Sequence, residues 1–169
     1  MDYTVTVTTA GATDDEPARY PDRTVMSTVR GALAQGYTLS ADSASGRLTL
    51  SRPDRTIMIT PATALPVPTR AQRAELLILA SSPGPVVWDY TSRNVIMMRD
   101  GERPIKHAMT MSMVNAGYMA DLTGKGGPAS LTLLAYLVLG SRQKGDPAAS
   151  DARLVSALTA VCTASTSAA

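Results

Sequence analysis

The sequence predicts an α+β protein, with a winged helix-like module between an N-terminal β-α-β-β lobe and a C-terminal helix. Three observations lead there. Asp2-Tyr3-Thr4-Val5-Thr6-Val7-Thr8-Thr9 alternates β-formers, the pattern of a strand with two unlike faces. Capping and stop signals bracket several helical segments. A stretch at 61–68 holding Pro61, Pro66 and Pro68 separates the lobe from the remainder of the chain.

Residues 2–9 read as a strand. Residues 10–21, with Gly11, Asp14-Asp15-Glu16, Pro17 and Pro21, read as a loop. Asp22 is placed to cap a helix over 23–35, with Val25, Met26, Val29 and Leu33 on one side and Gly36 as its stop. Short antiparallel strands are expected at 37–39, 47–51 and 56–60, separated by Ser/Asp/Gly and Pro53-Asp54 turns. Thr69-Arg70-Ala71-Gln72 fits a capping box, with Gln three residues after the cap. The helix it opens runs to about Ala80, and Ala71, Ala74, Leu77 and Ile78 are expected to form its apolar face. Val86-Val87-Trp88 and Val95-Ile96-Met97-Met98 read as a hairpin closed by Asp100-Gly101, with Trp88 as a packing anchor.

Pro104 suits the first position of another helix, 104–116. At 100° per residue, Ile105, Ala108, Met109, Ser112, Met113 and Ala116 share its expected inner side. Gly117 stands where a left-handed stop is wanted. Tyr118 to Leu122 and Ala129-Ser130-Leu131 read as strands around a Gly124-Lys125-Gly126-Gly127 tip. Thr132 caps a short helix, Leu133 to Leu139, which ends at Gly140. A linker, 141–150, leads to a helix around 151–162 marked by Val155, Leu158 and Val161.

Composition narrows the function. Hydrophobic residues make up 44% of the chain, enough for a core, but aromatics are only 4%, so Leu, Val, Ile, Ala and Met must build it. Cys162 is the one cysteine and His107 the one histidine, which excludes an internal disulfide and a Cys/His zinc site. No cofactor is expected. The start, Met-Asp-Tyr-Thr-Val, is not a signal peptide, and the apolar run Leu133 to Leu139 is too short to span a bilayer. A cytoplasmic location, host cytoplasm for a phage protein, is therefore expected, with no membrane partner. Catalysis lacks support. There is no Gly-x-Ser-x-Gly elbow, no clustered pair of carboxylates, and no phosphate-binding Gly-x-x-x-x-Gly-Lys-Ser/Thr. A non-enzyme is expected.

Charge is distributed unevenly. Residues 1–68 carry six Arg against seven acids, 69–144 nine basic residues against five acids, and 145–169 one Arg against two Asp. The middle segment, at +4, is where an anionic partner would dock.

The order helix, hairpin, helix, strand, Gly-rich tip, strand, helix, with Ala116-Gly117-Tyr118 closing one helix and Ser130-Leu131-Thr132-Leu133-Leu134 opening the last, resembles the winged helix-turn-helix family. Members of this kind occur among high-GC actinobacterial and phage regulators. The chain departs from the family pattern in having a hairpin at 86–98 where a second helix is usual. The resemblance implies double-stranded DNA as partner, with helix 104–116 in the major groove and a wing at 123–128. Arg103, His107, Thr110, Met111 and Val114 are expected on the outer side of that helix, with Lys106 at its flank. Arg70 and Arg73 on the preceding helix, Arg99 on the hairpin and Lys125 at the tip are expected phosphate or groove contacts. The alternative is an adaptor that binds a protein partner, such as a recombinase or host factor, through a Met-containing surface. A homodimer is a further candidate assembly.

Overall fold

The computed structural model describes residues 1–9, 12–13, 16–81, 86–89, 95–98, 105–120, 128–129, 131–141 and 146–164. In chain order the first elements are β1 (Asp2–Thr9), β2 (Ala12–Thr13), β3 (Ala18–Pro21), α1 (Asp22–Ala34), β4 (Thr38–Asp42), β5 (Arg47–Arg52) and β6 (Arg55–Pro61). Next come α2 (Arg70–Ser81), β7 (Val86–Asp89), β8 (Val95–Met98), β9 (Ile105–Lys106), α3 (His107–Asn115), β10 (Pro128–Ala129), α4 (Leu133–Gly140) and α5 (Pro147–Ala164). The α+β class holds. The chain forms two units, one of residues 1–66 with 136–169 and one of residues 67–135. The division falls inside α4, which carries no charged side chain and is buried at every position, as such a helix must be.

In the first unit the sheet runs β2-β1-β6-β5-β4, with β3 also paired to β1, and all its pairs are antiparallel. Register assigns the faces. Val5 opposes Ile59, Ile59 opposes Leu48, and Leu48 opposes Ala41. Tyr3, Leu39, Leu48, Leu50 and Ile59 on this side are buried. Each such side chain contributes roughly 1.5–3 kcal/mol when fully buried. Thr4, Thr6, Thr8, Thr49, Ser51 and Thr56 alternate with these residues, and none of them is buried. Helix α1 covers the apolar side with Val25, Val29 and Ala32, and α5 adds Leu154, Leu158 and Cys162. The C-terminal helix, expected as a separate segment, is thus part of this unit. Asp151 fixes it to the β4–β5 turn by accepting from the Ser43 amide at 2.8 Å.

Two local expectations are corrected. Residues 18–21 are a strand, not a loop, because the outer edge of β1 offers unpaired backbone and Arg19-Tyr20 fills it. Pro17 before the strand and Pro21 at its end are tolerated because β3 is an edge strand. Asp22 does not cap α1. Pro21 holds the cap position, and the Asp22 carboxylate accepts instead from the Tyr3 hydroxyl at 2.9 Å. The stop is as expected. Gly36 has φ +81°, Tyr37 N–H donates to Ala32 O at 3.1 Å and Gly36 N–H to Leu33 O at 3.0 Å, which together form a Schellman ending.

Burial, and then the Asp22 carboxylate, keep the Tyr3 phenol protonated far above the usual phenol range. Burial also raises Tyr136 and Cys162. A group whose folded pKa is raised stabilises fully below its unfolded pKa, and that stability is lost as pH rises past it. We expect unfolding free energy to fall above about pH 10 for the tyrosines, with Cys162 contributing somewhat lower. Tyr3→Phe should cost about 1 kcal/mol at neutral pH and flatten, without abolishing, the alkaline fall. Urea unfolding from about pH 8 to about pH 11 measures both.

Candidate nucleic-acid interface

The second unit begins with the capping box. The Thr69 amide donates to Gln72 Oε1 at 2.9 Å and the Gln72 amide to Thr69 Oγ1 at 3.1 Å, so both halves form. Gln72 then reaches further, donating through Nε2 to Ser112 Oγ on α3 at 2.8 Å. The amide is therefore satisfied although the residue is buried. The apolar face expected on α2 is corrected accordingly. Gln72, Leu76 and Leu79 point inward, whereas Ala71, Ala74 and Leu77 are exposed. Larger side chains at positions i, i+4 and i+7 take the core, and a polar residue joins them because its hydrogen bonds are provided for.

The second sheet runs β10-β7-β8-β9, with antiparallel pairs throughout. The expected hairpin is β7–β8. The expected helix 104–116 starts later than the sequence indicates. Ile105 and Lys106 are extended and pair with Ile96 and Val95, so α3 begins at His107. This shift explains a second correction. Ile105 does not belong to the helix and does not set its phase. Thr110 and Met113 are buried, Met109 and Val114 are half-buried, and His107, Ala108, Met111, Ser112 and Asn115 are exposed. The buried arc is rotated by about one residue, ~100°, from the expected one. Thr110, expected to face a groove, points into the core, where its hydroxyl donates to Lys106 O at 3.3 Å. Ala108 and Ser112, expected inside, lie on the outer arc, and Asn115 lies there with them.

The end of α3 and the start of α4 are fastened together. Gly117 has φ +76°, Tyr118 N–H donates to Met113 O at 2.9 Å and Gly117 N–H to Val114 O at 2.9 Å. Thr132 Oγ1 donates to Gly117 O at 2.6 Å, and the Thr132 amide to Tyr118 O at 3.0 Å. The same hydroxyl accepts from the Ala135 amide at 3.4 Å, so Thr132 caps α4 as expected. Of the strands expected at 118–122 and 129–131, residues 121–122 and 130 lie outside the described residues, and the described part shows one antiparallel bridge, Met119 with Leu131. β10 pairs instead with β7, Pro128 opposite Val87 and Ala129 opposite Val86.

Of the residues expected to touch DNA, Arg70, Lys106 and His107 are exposed and Arg73 is half-exposed. Arg99, Arg103 and Lys125 lie outside the described residues, as do Pro104, the Asp100-Gly101 turn and the Gly124–Gly127 tip. Among the described residues no cluster of His, Cys, Asp or Glu is placed to hold a metal ion, and no helix is long and apolar enough to cross a membrane. No protein-family model matches the chain, and no curated protein or solved structure matches it.

Gln72 is the residue on which the α2–α3 arrangement turns. Gln72→Ala removes the capping acceptor and the bond to Ser112 together, and should cost about 1–3 kcal/mol in urea unfolding. Gln72→Glu keeps the capping acceptor but loses the donor to Ser112, so a cost between wild type and alanine is expected.

Proposed function

We propose that the second unit is a non-catalytic, winged helix-like DNA-binding module that presents the outer arc of α3 to the major groove. The observation that carries this reading is the make-up of that arc. His107, Ser112 and Asn115 lie on the exposed side of a surface helix, with Lys106 immediately before it. Nine residues give a helix about 14 Å long, and the diameter of a helix with its side chains, about 10–12 Å, matches a major groove about 12 Å wide. Asn can read adenine by two hydrogen bonds, and Lys106 supplies a phosphate or guanine contact. Arg70 and Arg73, near the start of α2, add positive charge in the same unit. The second unit, residues 67–135, carries seven basic residues against five acids, a balance of +2 that favours an anionic partner. The Gln72–Ser112 bond braces the presenting helix, which is what a reading surface requires.

A second reading is supported by exposed apolar side chains in this unit. Leu77 is 44% exposed and Met111 38% exposed. Such residues suit an adaptor surface for a protein partner, Met111 because its flexible thioether fits varied shapes.

Fluorescence anisotropy with labelled duplex DNA over a salt series separates the two. DNA binding predicts an affinity that falls steeply with salt. Lys106→Ala should weaken all sequences alike and reduce the salt slope by about one, whereas Asn115→Ala should chiefly relax sequence preference. Absence of binding to any genomic fragment at low salt would exclude DNA. Recovery of a stoichiometric protein complex broken by Met111→Asp would then favour the adaptor.

A further inference from the structure

The capping box leaves the Gln72 side chain one orientation, and that orientation decides what Ser112 can do. The Thr69 amide is a donor, so the Gln72 atom it meets at 2.9 Å is the oxygen, Oε1. The other end of the side-chain amide, Nε2, is a donor, and it lies 2.8 Å from Ser112 Oγ and 3.5 Å from Ser112 O. A donor facing a hydroxyl oxygen fills one of its two lone pairs. The Ser112 hydroxyl therefore accepts from within the protein, while its own proton has no acceptor among the described residues. Ser112 is also exposed, on a stripe with Ala108 and Asn115 that helical spacing puts on one side of α3.

In water that proton is hydrated. Once a partner covers the stripe, a donor left without an acceptor costs more than a lone pair left without a donor. The surface hydroxyl then favours an acceptor opposite it. Base edges in the major groove differ in this respect. Guanine presents N7 and O6 and thymine presents O4, all acceptors. Cytosine presents the N4 amino donor, and adenine presents one group of each kind.

We propose that Gln72 is a positioning residue for base readout: by filling a lone pair of Ser112 it makes that hydroxyl a donor, and Ser112 reads an acceptor on guanine or thymine. The inference rests on the reading of α3 as the helix that enters the major groove, and adds which bases Ser112 selects and what sets that choice. Glutamate at position 72 reverses the polarity. A carboxylate only accepts, so one oxygen keeps the Thr69 amide and the other takes the Ser112 proton. The serine then offers lone pairs alone, and an amino group on cytosine or adenine fits it. A purely structural role for Gln72 predicts something else, a change in affinity shared by all duplexes with no reversal of preference.

Duplexes selected by the full chain from a pool with a randomised core, followed by fluorescence anisotropy, test the proposal. Ser112→Ala locates the base pair that the serine reads, as the one whose preference it erases. At that pair the wild type should favour guanine or thymine over cytosine about fivefold, and Gln72→Glu should favour cytosine or adenine by a similar factor. A second measurement needs no change at position 72. A deaza or deoxo analogue of the preferred base, which lacks the acceptor atom, should weaken wild-type binding about fivefold and leave Ser112→Ala binding unchanged. Salt-dependent binding in which Ser112→Ala alters no base preference, or in which Gln72→Glu keeps the wild-type base, overturns the proposal and leaves the DNA reading standing. Should Gln72→Glu fail to fold, the analogue decides, and equal weakening of wild type and Ser112→Ala overturns it. Absence of binding to every duplex at low salt removes the DNA reading itself, and this inference with it.

Discussion

The register between β1 and β6 is the constraint on which the first unit depends. Seven consecutive residues of β1, Tyr3 to Thr9, oppose Pro61 to Arg55. Side chains alternate along a strand, so a slip of one residue would send Tyr3, Val5 and Val7 to solvent and bring the threonines inside. Everything else in the unit is built on the side this pairing selects. Leu48 and Leu50 extend it through β5, Leu39 through β4, and α1 and α5 close over it. Tyr3 links the sheet to the helix layer, since its buried hydroxyl reaches Asp22 in the first turn of α1. A carboxylate there is also favoured by the positive end of the helix.

The second unit is held by polar joints. Its helices α2 and α3 are short, twelve and nine residues. Gln72 joins α2 to α3, and Thr132 joins the end of α3 to the start of α4. Both residues serve a cap and a long-range bond with one side chain. Backbone ends that would otherwise be unsatisfied are thereby turned into tertiary contacts. The arrangement holds the outer arc of α3 at fixed orientation to the helices beside it, which connects the sequence's capping signals to the proposed reading surface.

Much of this is legible in the sequence, where the signal is local. Alternation marks β1, β5 and β6, and the Thr69–Gln72 spacing marks a capping box whose two bonds both form. Gly36 and Gly117 mark helix stops because only a residue without Cβ adopts their backbone angles cheaply. The features that escape are decided by tertiary context. Strand β3 exists because β1 has a free edge, which residues 18–21 do not announce by themselves. Periodicity misplaces the phase of α3 because Ile105, apolar and correctly spaced, is spent on strand β9. Thr110 looks like a surface residue by composition, yet the phase of α3 places it inside, where the Lys106 carbonyl satisfies its hydroxyl. The inward turn of Gln72 is hidden for the same reason, since its partner Ser112 is forty residues away.

The β1–β6 register can be measured without altering the protein. Nuclear Overhauser contacts between backbone protons of the two strands, in isotope-labelled full-length chain, report which residues face each other. The account predicts contacts that join Thr4 with Thr60, Thr6 with Met58 and Thr8 with Thr56, or the alternate pairs Val5 with Ile59 and Val7 with Ile57. Contacts displaced by one residue, or none between these strands, would contradict it and remove the basis for both faces of the sheet.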